Sequence, residues 1–238
     1  MKKEKKPKKP RRQYLDADGN KLPSVTTILG AAVAKPGLIA WAAKVAAEAT
    51  AEALLDGFCE RGVAIAEGSK APHNRRDGAA ELGTKAHNLV EKHYDGEEVT
   101  AEGDDAEVVL NCYRRAVAAI DEHWEVEASE WAGVSVLGYG GTLDLVCIDK
   151  ETQKRVLVDL KTGSAHPEHI AQLAAYKNLW EEGNPGKPID GAVILNVPVR
   201  GEGYEILKIS DDALDAGWML FQAAQVVHAN LGKLVFDA

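Results

Sequence analysis

Two charged side chains within an apolar segment are the most informative feature of the sequence. The run VLVDLKT, residues 156–162, has the near-continuous apolar character of a β-strand that is covered on both faces. Asp159 and Lys161 lie two residues apart in it, so they project from the same face. Buried charges are costly unless they are paired or bind a metal. The spacing predicts a carboxylate that holds a cation beside an ammonium that reaches a water molecule or a phosphate oxygen.

A second carboxylate lies in a similar setting shortly before. Asp144 falls within GYGGTLDLVCI, residues 138–148, and the polar stretch 149–155 is predicted to turn the chain into the next strand. Two carboxylates on adjacent strands, with a lysine, form an oxygen-rich site that suits Mg²⁺ or Mn²⁺. The alternative for each aspartate is a buried salt bridge with Lys161 that serves no catalysis, and the spacing fits both.

Polar residues on predicted helices are weaker signals. Gln172 and Tyr176 lie four residues apart, and hence on one face, of a helix that begins near Pro167, soon after Lys161. An amide and a phenol there could bind phosphate or orient water, although ordinary helix polarity explains an isolated pair equally simply. His87 lies in the helical stretch ELGTKAHNLVEKH, where a lone histidine is more often a packing or surface residue than a ligand.

The elements that must position these residues follow in the order helices, three strands, helix, two strands, helix. A hairpin around Asp18-Gly19 and a short helix capped by Ser24 precede them. This order predicts an α/β fold with a central mixed β-sheet flanked by helices and with an N-terminal helical region. The predicted helices span 36–55, 77–94, 104–123, 167–182 and 211–231, and the strands span 124–137, 138–148, 155–163, 191–197 and 204–209.

The charge of the chain is unevenly distributed. Residues 1–12 carry eight Lys or Arg and one Glu, a net +7, and since the whole chain has a net charge of −9, the remainder carries −16. Such a basic run has no apolar surface to offset its ordering entropy, which predicts a disordered tail over 1–12. The length of the remainder and its lack of a Pro- or Ser-rich linker predict a single domain over 13–238. The tail is either an arm that holds phosphates by counterion release or a solubilising or targeting segment.

Composition limits the compartment and the cofactors. No apolar run approaches the roughly 18 residues that a membrane span needs, and no apolar segment follows the basic start as in a secretion signal, so a cytoplasmic protein without a membrane partner is expected. Cys59, Cys112 and Cys147 lie far apart, which predicts buried thiols and neither disulfides nor a thiolate cluster. The absence of a GxxxxGK[ST] phosphate loop predicts no ATP-driven motor.

Four short motifs in this order resemble the PD-(D/E)XK nuclease superfamily, and in particular its RecB-like exonuclease branch. LPSVTTIL at 22–29 is also similar to the opening segment of the mitochondrial genome maintenance exonucleases and their phage and bacterial relatives. The resemblance runs from about Tyr14 to Trp180 and implies a restriction-endonuclease-like core. The four motifs are GTKAH at 83–87, GGTLD at 140–144, VDLKTG at 158–163 and QLAAY at 172–176.

The resemblance also implies roles for individual residues. Asp144 and Asp159 would bind the divalent ions, and Lys161 would position or activate the attacking water. Further metal ligands would be His87, the backbone carbonyl of Leu160, and an acid before the GGTLD strand, for which Glu130 is preferred to Glu127. The residues expected to contact DNA or to support the site are Gln172, Tyr176 and Thr84.

The implied activity is that of a Mg²⁺- or Mn²⁺-dependent DNA exonuclease in recombination, repair or replication, with a protein of one of these processes as a further partner. Its DNA would be single-stranded or have duplex ends. The four-cysteine iron–sulfur cluster of several relatives is not expected, because three scattered cysteines cannot supply it. The alternatives are a nuclease-like module that binds nucleic acid without cutting it, and an endonuclease. The acidic remainder of the chain favours a narrow basic channel for one strand, with Arg75, Arg76, Lys85 and Lys92 as candidates.

Overall fold

Seven strands and six helices make up the part of the chain that the structure, a computed structural model, describes: residues 12–55 and 60–233. The predicted tail up to residue 11 and Cys59 therefore lie outside the described residues. The elements are β1 (Tyr14–Leu15), β2 (Lys21–Leu22), α1 (Val25–Ala32), α2 (Pro36–Leu55), α3 (Arg61–Tyr94), α4 (Ala106–His123), β3 (Trp124–Ser135), β4 (Tyr139–Asp149), β5 (Arg155–Lys161), α5 (Pro167–Gly183), β6 (Gly191–Asn196), β7 (Glu205–Ile209) and α6 (Asp211–Leu231).

The central sheet has five strands in the order β3-β4-β5-β6-β7. Strands β5 and β6 are parallel, and the other neighbours are antiparallel. Parallel neighbours need a crossover connection, and helix α5 provides it between β5 and β6. The predicted mixed sheet with flanking helices is confirmed.

Two apolar cores cover the two faces of this sheet. Helices α1, α5 and α6 pack on one face, where Tyr139, Leu179 and Phe221 are buried. Helices α3 and α4 pack on the other, around Ile120 and Leu195. Because β5 and β6 lie between these layers, their apolar residues are almost wholly buried, as the continuous apolar run predicts.

The N-terminal hairpin and α1 are held against β4. Gly19 adopts a φ of 82° in the tight turn between β1 and β2, and Ser24 caps α1 by accepting a hydrogen bond from the Thr27 N–H at 3.1 Å. Gly140 allows the contact with β4, since a Cβ atom there would lie 2.3 Å from Cγ of Tyr14. The backbone N–H of Gly140 also donates to the carbonyl of Pro23.

Helix α3 is the main departure from the predicted elements. We expected a helix over 77–94, whereas α3 begins at Arg61 and contains Pro72. A proline inside a helix removes one backbone hydrogen bond, so Pro72 disfavours a continuous helix through this position. Packing against α2 offsets this cost: a Cβ atom on Gly68 would lie 1.8 Å from Oγ1 of Thr50, so the two helices are in close contact.

The structure also bears on two expectations from composition. Cys112 and Cys147 are buried free thiols. Within the described ranges no single helix is long and apolar enough to cross a membrane. One bent pair of helices, α1 with Gly37–Leu55, reaches the necessary length and apolar composition only when the two are taken together.

Candidate active site

The two predicted aspartates lie side by side on β4 and β5. Leu145 pairs with Val158, which places Asp144 and Asp159 one position further along, with their side chains on the same face. Asp159 is only 2% exposed. The Lys161 ammonium nitrogen lies 2.5 Å from its Oδ2 atom, yet neither Asp159 carboxylate oxygen has a hydrogen-bond partner of acceptable geometry among the described residues. The predicted ion pair therefore exists, and it leaves a buried carboxylate that is incompletely satisfied.

His87 reaches this pair of strands from α3. Its Nε2 atom lies 2.6 Å from the Leu160 carbonyl oxygen, which can only accept, so Nε2 carries the proton and Nδ1 of a neutral ring keeps its lone pair. Nδ1 faces Oδ2 of Asp144 at 4.0 Å. Histidines that bind metals usually donate their other ring N–H to a carbonyl or carboxylate, and His87 has this arrangement. The Leu160 carbonyl, expected as a metal ligand, is here the acceptor that orients the imidazole.

A glycine explains why α3 can approach so closely. A Cβ atom on Gly83 would lie 2.4 Å from Oγ1 of Thr162, just after β5. Its neighbours in the GTKAH motif have local partners: the Thr84 hydroxyl donates to the Ala80 carbonyl at 2.8 Å, and Lys85 pairs with Glu81 at 2.9 Å. Gly83 and His87 thus connect this motif to the strands, while Thr84 and Lys85 are exposed.

Glu130 completes a compact group of ligand atoms. It lies on β3 opposite Asp144, since its neighbours Ser129 and Trp131 pair with Leu145 and Leu143. One potential ligand atom each from His87, Glu130 and Asp144 lies within 4.8 Å of the others. A φ of 47° at Glu130, rare for a residue with a side chain, marks a local distortion of the strand.

The competing acid, Glu127, has a different environment. Its carboxylate pairs with Arg155 at 2.6 Å and with Lys187 at 2.8 Å. A sidechain hydrogen bond from Arg155 is the main cause that lowers the pKa of Glu127. The structure thus separates two glutamates that lie three residues apart: Glu130 joins the group with His87 and Asp144, whereas Glu127 belongs to a salt-bridge cluster.

The carboxylates of the site repel one another. Burial, followed by the charges of Asp144 and Glu91, raises the pKa of Glu130 to about 7. Burial and Asp144 also raise the pKa of Asp159, against the opposing effect of Lys161. Burial lowers the pKa of Lys161, but the charges of Asp159 and Asp144 outweigh it and raise the pKa overall. Such a cluster of acids suits a divalent cation, because the cation's charge offsets the repulsion between the carboxylates and their oxygens can bind it.

Helix α5 places Tyr176 beside the two aspartates. The Gln172 amide donates to the Tyr176 hydroxyl at 3.0 Å. Burial, then Asp144 and Asp159, raises the pKa of Tyr176, so the phenol remains protonated. Gly141 allows the close packing, since a Cβ atom there would lie 2.7 Å from Cε1 of Tyr176. The predicted amide and phenol are thus hydrogen-bonded to each other next to the carboxylates.

Three of the four cations predicted to line a strand channel have acidic neighbours. Arg75 pairs with Glu48 of α2 at 3.6 Å, and Arg76 with Asp77 at 3.4 Å, in the same way that Lys85 pairs with its neighbour on α3. Lys92 lies near the C-terminal end of α3, and its side chain is partly buried.

Arg12, by contrast, lies at the site although it was assigned to the tail. Its Nη1 atom donates to the Glu130 carbonyl at 2.9 Å and to Oγ1 of Thr142 at 3.3 Å. Its guanidinium also lies 3.7 Å from the Glu130 carboxylate and 3.9 Å from that of Glu91. Arg12 and Glu130 are 118 residues apart, so no local sequence pattern could have indicated the contact.

Comparison with known proteins identifies the family. The sequence profile of the PD-(D/E)XK nuclease superfamily matches residues 58–229. The chain belongs to this superfamily. Among solved structures it is similar to a Eubacterium rectale protein whose exonuclease assignment is provisional, with 9% identity, a TM-score of 0.43, and coverage of 65% of this chain and 69% of that one. No curated protein matches the sequence.

Membership in the PD-(D/E)XK superfamily makes the chain a nuclease by family, with nucleic acid as its class of substrate. The side chains at the site fit the divalent ion that such nucleases generally use. The donor set of one imidazole nitrogen and carboxylate oxygens suits a divalent metal ion, and the unsatisfied oxygens of Asp159 lie on the adjoining strand. The motifs and the geometry therefore indicate the same candidate metal site, on the face of the sheet shared by β3, β4 and β5.

Proposed function

We propose that this PD-(D/E)XK nuclease is a divalent-metal-dependent DNA exonuclease of the RecB-like branch, acting on single strands or duplex ends in recombination, repair or replication. The observation that carries the proposal is the convergence of His87, Glu130 and Asp144 within 4.8 Å. The buried pair of Asp159 and Lys161 lies beside them. Mg²⁺ or Mn²⁺ is the proposed cofactor.

Each of these residues has a role in the proposal. His87, Glu130, Asp144 and Asp159 hold the ion, and the Leu160 carbonyl keeps the His87 ring oriented. A bound divalent ion would lower the pKa of a water molecule and neutralise charge on the scissile phosphate.

Lys161 and the hydrogen-bonded pair on α5 complete the proposed machinery. The Lys161 ammonium orients the attacking water and stabilises the negative charge that develops on the phosphate. The Tyr176 phenol, held by Gln172, stays protonated and donates a hydrogen bond to a phosphate oxygen or to the attacking water. Both groups are fixed in place before the substrate arrives, which reduces the reorganisation needed in the transition state.

The exonuclease mode is supported by the GTKAH and QLAAY motifs, which resemble the RecB-like branch. We expect end-labelled linear DNA, single-stranded or duplex, to be shortened progressively in Mg²⁺ or Mn²⁺ and to stay intact in EDTA. Covalently closed circular DNA should resist digestion. Rapid linearisation of the circle would instead identify an endonuclease, and metal-independent binding without any cleavage would identify a binding module.

Two glutamates on the same strand offer a matched test of the site. Glu130→Gln removes a proposed metal ligand, so we expect at least a hundred-fold loss of cleavage, on the scale of about 10²–10³ found when one stabilising group is removed from an active site. Glu127→Gln makes the same chemical change three residues away in a salt-bridge cluster, and cleavage should remain at the wild-type rate. Equal effects of the two substitutions on cleavage would contradict the site assignment, provided that circular dichroism shows both variants folded.

A further inference from the structure

A groove with basic and hydroxyl side chains adjoins the proposed active site. It has a volume of about 470 Å³ and is lined by Arg12, Tyr14, Ser24, Thr26, Thr27 and Gly30. A second cavity of about 290 Å³ shares four of these residues and adds Lys21. The two are therefore contiguous and form one N-terminal groove between the hairpin and α1.

The charge of this groove sets it apart from the rest of the chain. Neither cavity is lined by an acidic residue, although residues 13–238 carry a net charge of −16 (−9 for the whole chain minus +7 for residues 1–12). Two other cavities of the described structure do contain acids, with Glu107 and Glu202 in one and Glu181 and Asp215 in the other. The lining itself offers cations and hydroxyls, which suit an anion that accepts several hydrogen bonds. At its inner end the Arg12 guanidinium also faces the carboxylates of Glu130 and Glu91, at 3.7 and 3.9 Å.

The groove is built onto the strand that carries Asp144. The hydroxyls of Tyr14 and Thr142 share a hydrogen bond of 2.8 Å, and Arg12 donates to the same Thr142 oxygen. Thr142 precedes Asp144 by two residues on β4, so the two side chains share a face of the sheet. Since Arg12 also donates to the Glu130 carbonyl, the groove meets the carboxylate cluster at its inner end.

We propose that the N-terminal groove is the subsite for the phosphodiester backbone next to the bond that is cut, with Arg12 and Lys21 each holding one phosphate. The Thr26 and Thr27 side chains are exposed within it and offer hydroxyl donors to phosphate oxygens. This inference rests on the proposed nuclease function and names the part of the protein that positions the strand. Seven further Lys or Arg precede Arg12 in the sequence, so the chain continues from this groove into its most basic segment.

The test is binding of fluorescein-labelled oligothymidylate to the full chain in EDTA, measured by fluorescence anisotropy over a range of salt concentrations. Each phosphate contact on a single strand contributes about 0.7 to the slope of log K against log salt, which corresponds to about five-fold in affinity per contact at about 0.1 M salt. Lys21→Gln should therefore weaken binding about five-fold and reduce the slope by about 0.7, and the double variant with Arg12→Gln should show about twice the loss of slope. Lys154→Gln is the matched control, because Lys154 is exposed in the turn at the other end of β4.

The outcomes separate this inference from the proposed function. An unchanged salt slope in Lys21→Gln and in the double variant overturns the groove assignment, even if the wild type degrades DNA normally. A reduced slope in a protein that cleaves nothing supports the groove and refutes the nuclease proposal. Competition by thymidine monophosphate at constant ionic strength checks the ligand: efficient displacement of the oligonucleotide would show a site for one terminal phosphate and overturn the assignment to a strand backbone.

Discussion

Gly141 provides a sharp test of how the fold positions Tyr176. It lies on β4, and in Gly141→Ala the new methyl group would lie 2.7 Å from Cε1 of Tyr176 and 2.8 Å from Cδ1 of Leu179. Ordinary contact begins at 3.4 Å, so helix α5 would have to withdraw by at least about 0.7 Å. Neither neighbour can turn aside, because Tyr176 is 6% and Leu179 0% exposed.

Overpacking of this kind costs about 1–3 kcal/mol, which corresponds to a melting temperature lower by roughly 2–12 °C in a protein of this size. The cleavage rate should fall by up to about a hundred-fold, since a displacement near 1 Å at a site can have an effect of that size.

The control for this substitution is Gly78→Ala, at a helical position with nothing within 4 Å of the new methyl group. It should raise stability by about 0.5–1 kcal/mol, because alanine is the better helix former. Differential scanning calorimetry and the end-label assay measure both effects. A Gly141→Ala protein that melts and cleaves like the wild type would refute the role assigned to this contact.

Two further predictions concern pH. The hydrogen bond from Arg155, followed by that from Lys187, lowers the pKa of Glu127 from 4.5, so the stabilisation by these ion pairs is complete above that value and is lost as the pH falls below it. Glu127→Gln should cost about 0.5–1 kcal/mol in urea unfolding at pH 7, and the difference from the wild type should shrink as the pH falls below 4.5. Burial, followed by the charge of Lys161, lowers the pKa of His169 from 6.5 to about 4. Between these two values the unfolded chain binds the proton more readily than the folded protein, so the free energy of unfolding declines as the pH falls from about 6.5 to about 4. An NMR titration should find the His169 pKa near 4, and His169→Gln should flatten the decline; a pKa near 6.5 would contradict this account.

Much of the sheet could be predicted from sequence, because its central strands are apolar runs of strand length. The segment 155–163 was predicted as a strand with two charges on one face, and β5 spans Arg155–Lys161 with Asp159 buried in it. The polar stretch after residue 148 was predicted as a turn, and the antiparallel pairing of β4 with β5 follows from it. Such local periodicity places a residue on an element and a face, which here was sufficient to bring Asp144 next to Asp159.

What could not be predicted depends on contacts between distant segments. The long helix α3 contains Pro72, and it packs against α2, with Gly68 in close contact with Thr50. Arg12 looks like any other cation of a basic run until the fold places it against Glu130. The motif around His87 resembles a family pattern, but the hydrogen bond to the Leu160 carbonyl that orients the ring spans 73 residues.

The most direct test of the central claim is an anomalous-scattering measurement at the manganese edge on crystals of the protein soaked in Mn²⁺. The account predicts a peak bounded by Nδ1 of His87 and the carboxylates of Glu130 and Asp144, and no peak there in Asp144→Asn crystals. Crystals that hold manganese elsewhere, or none at all, while the wild-type protein still degrades DNA, would contradict it.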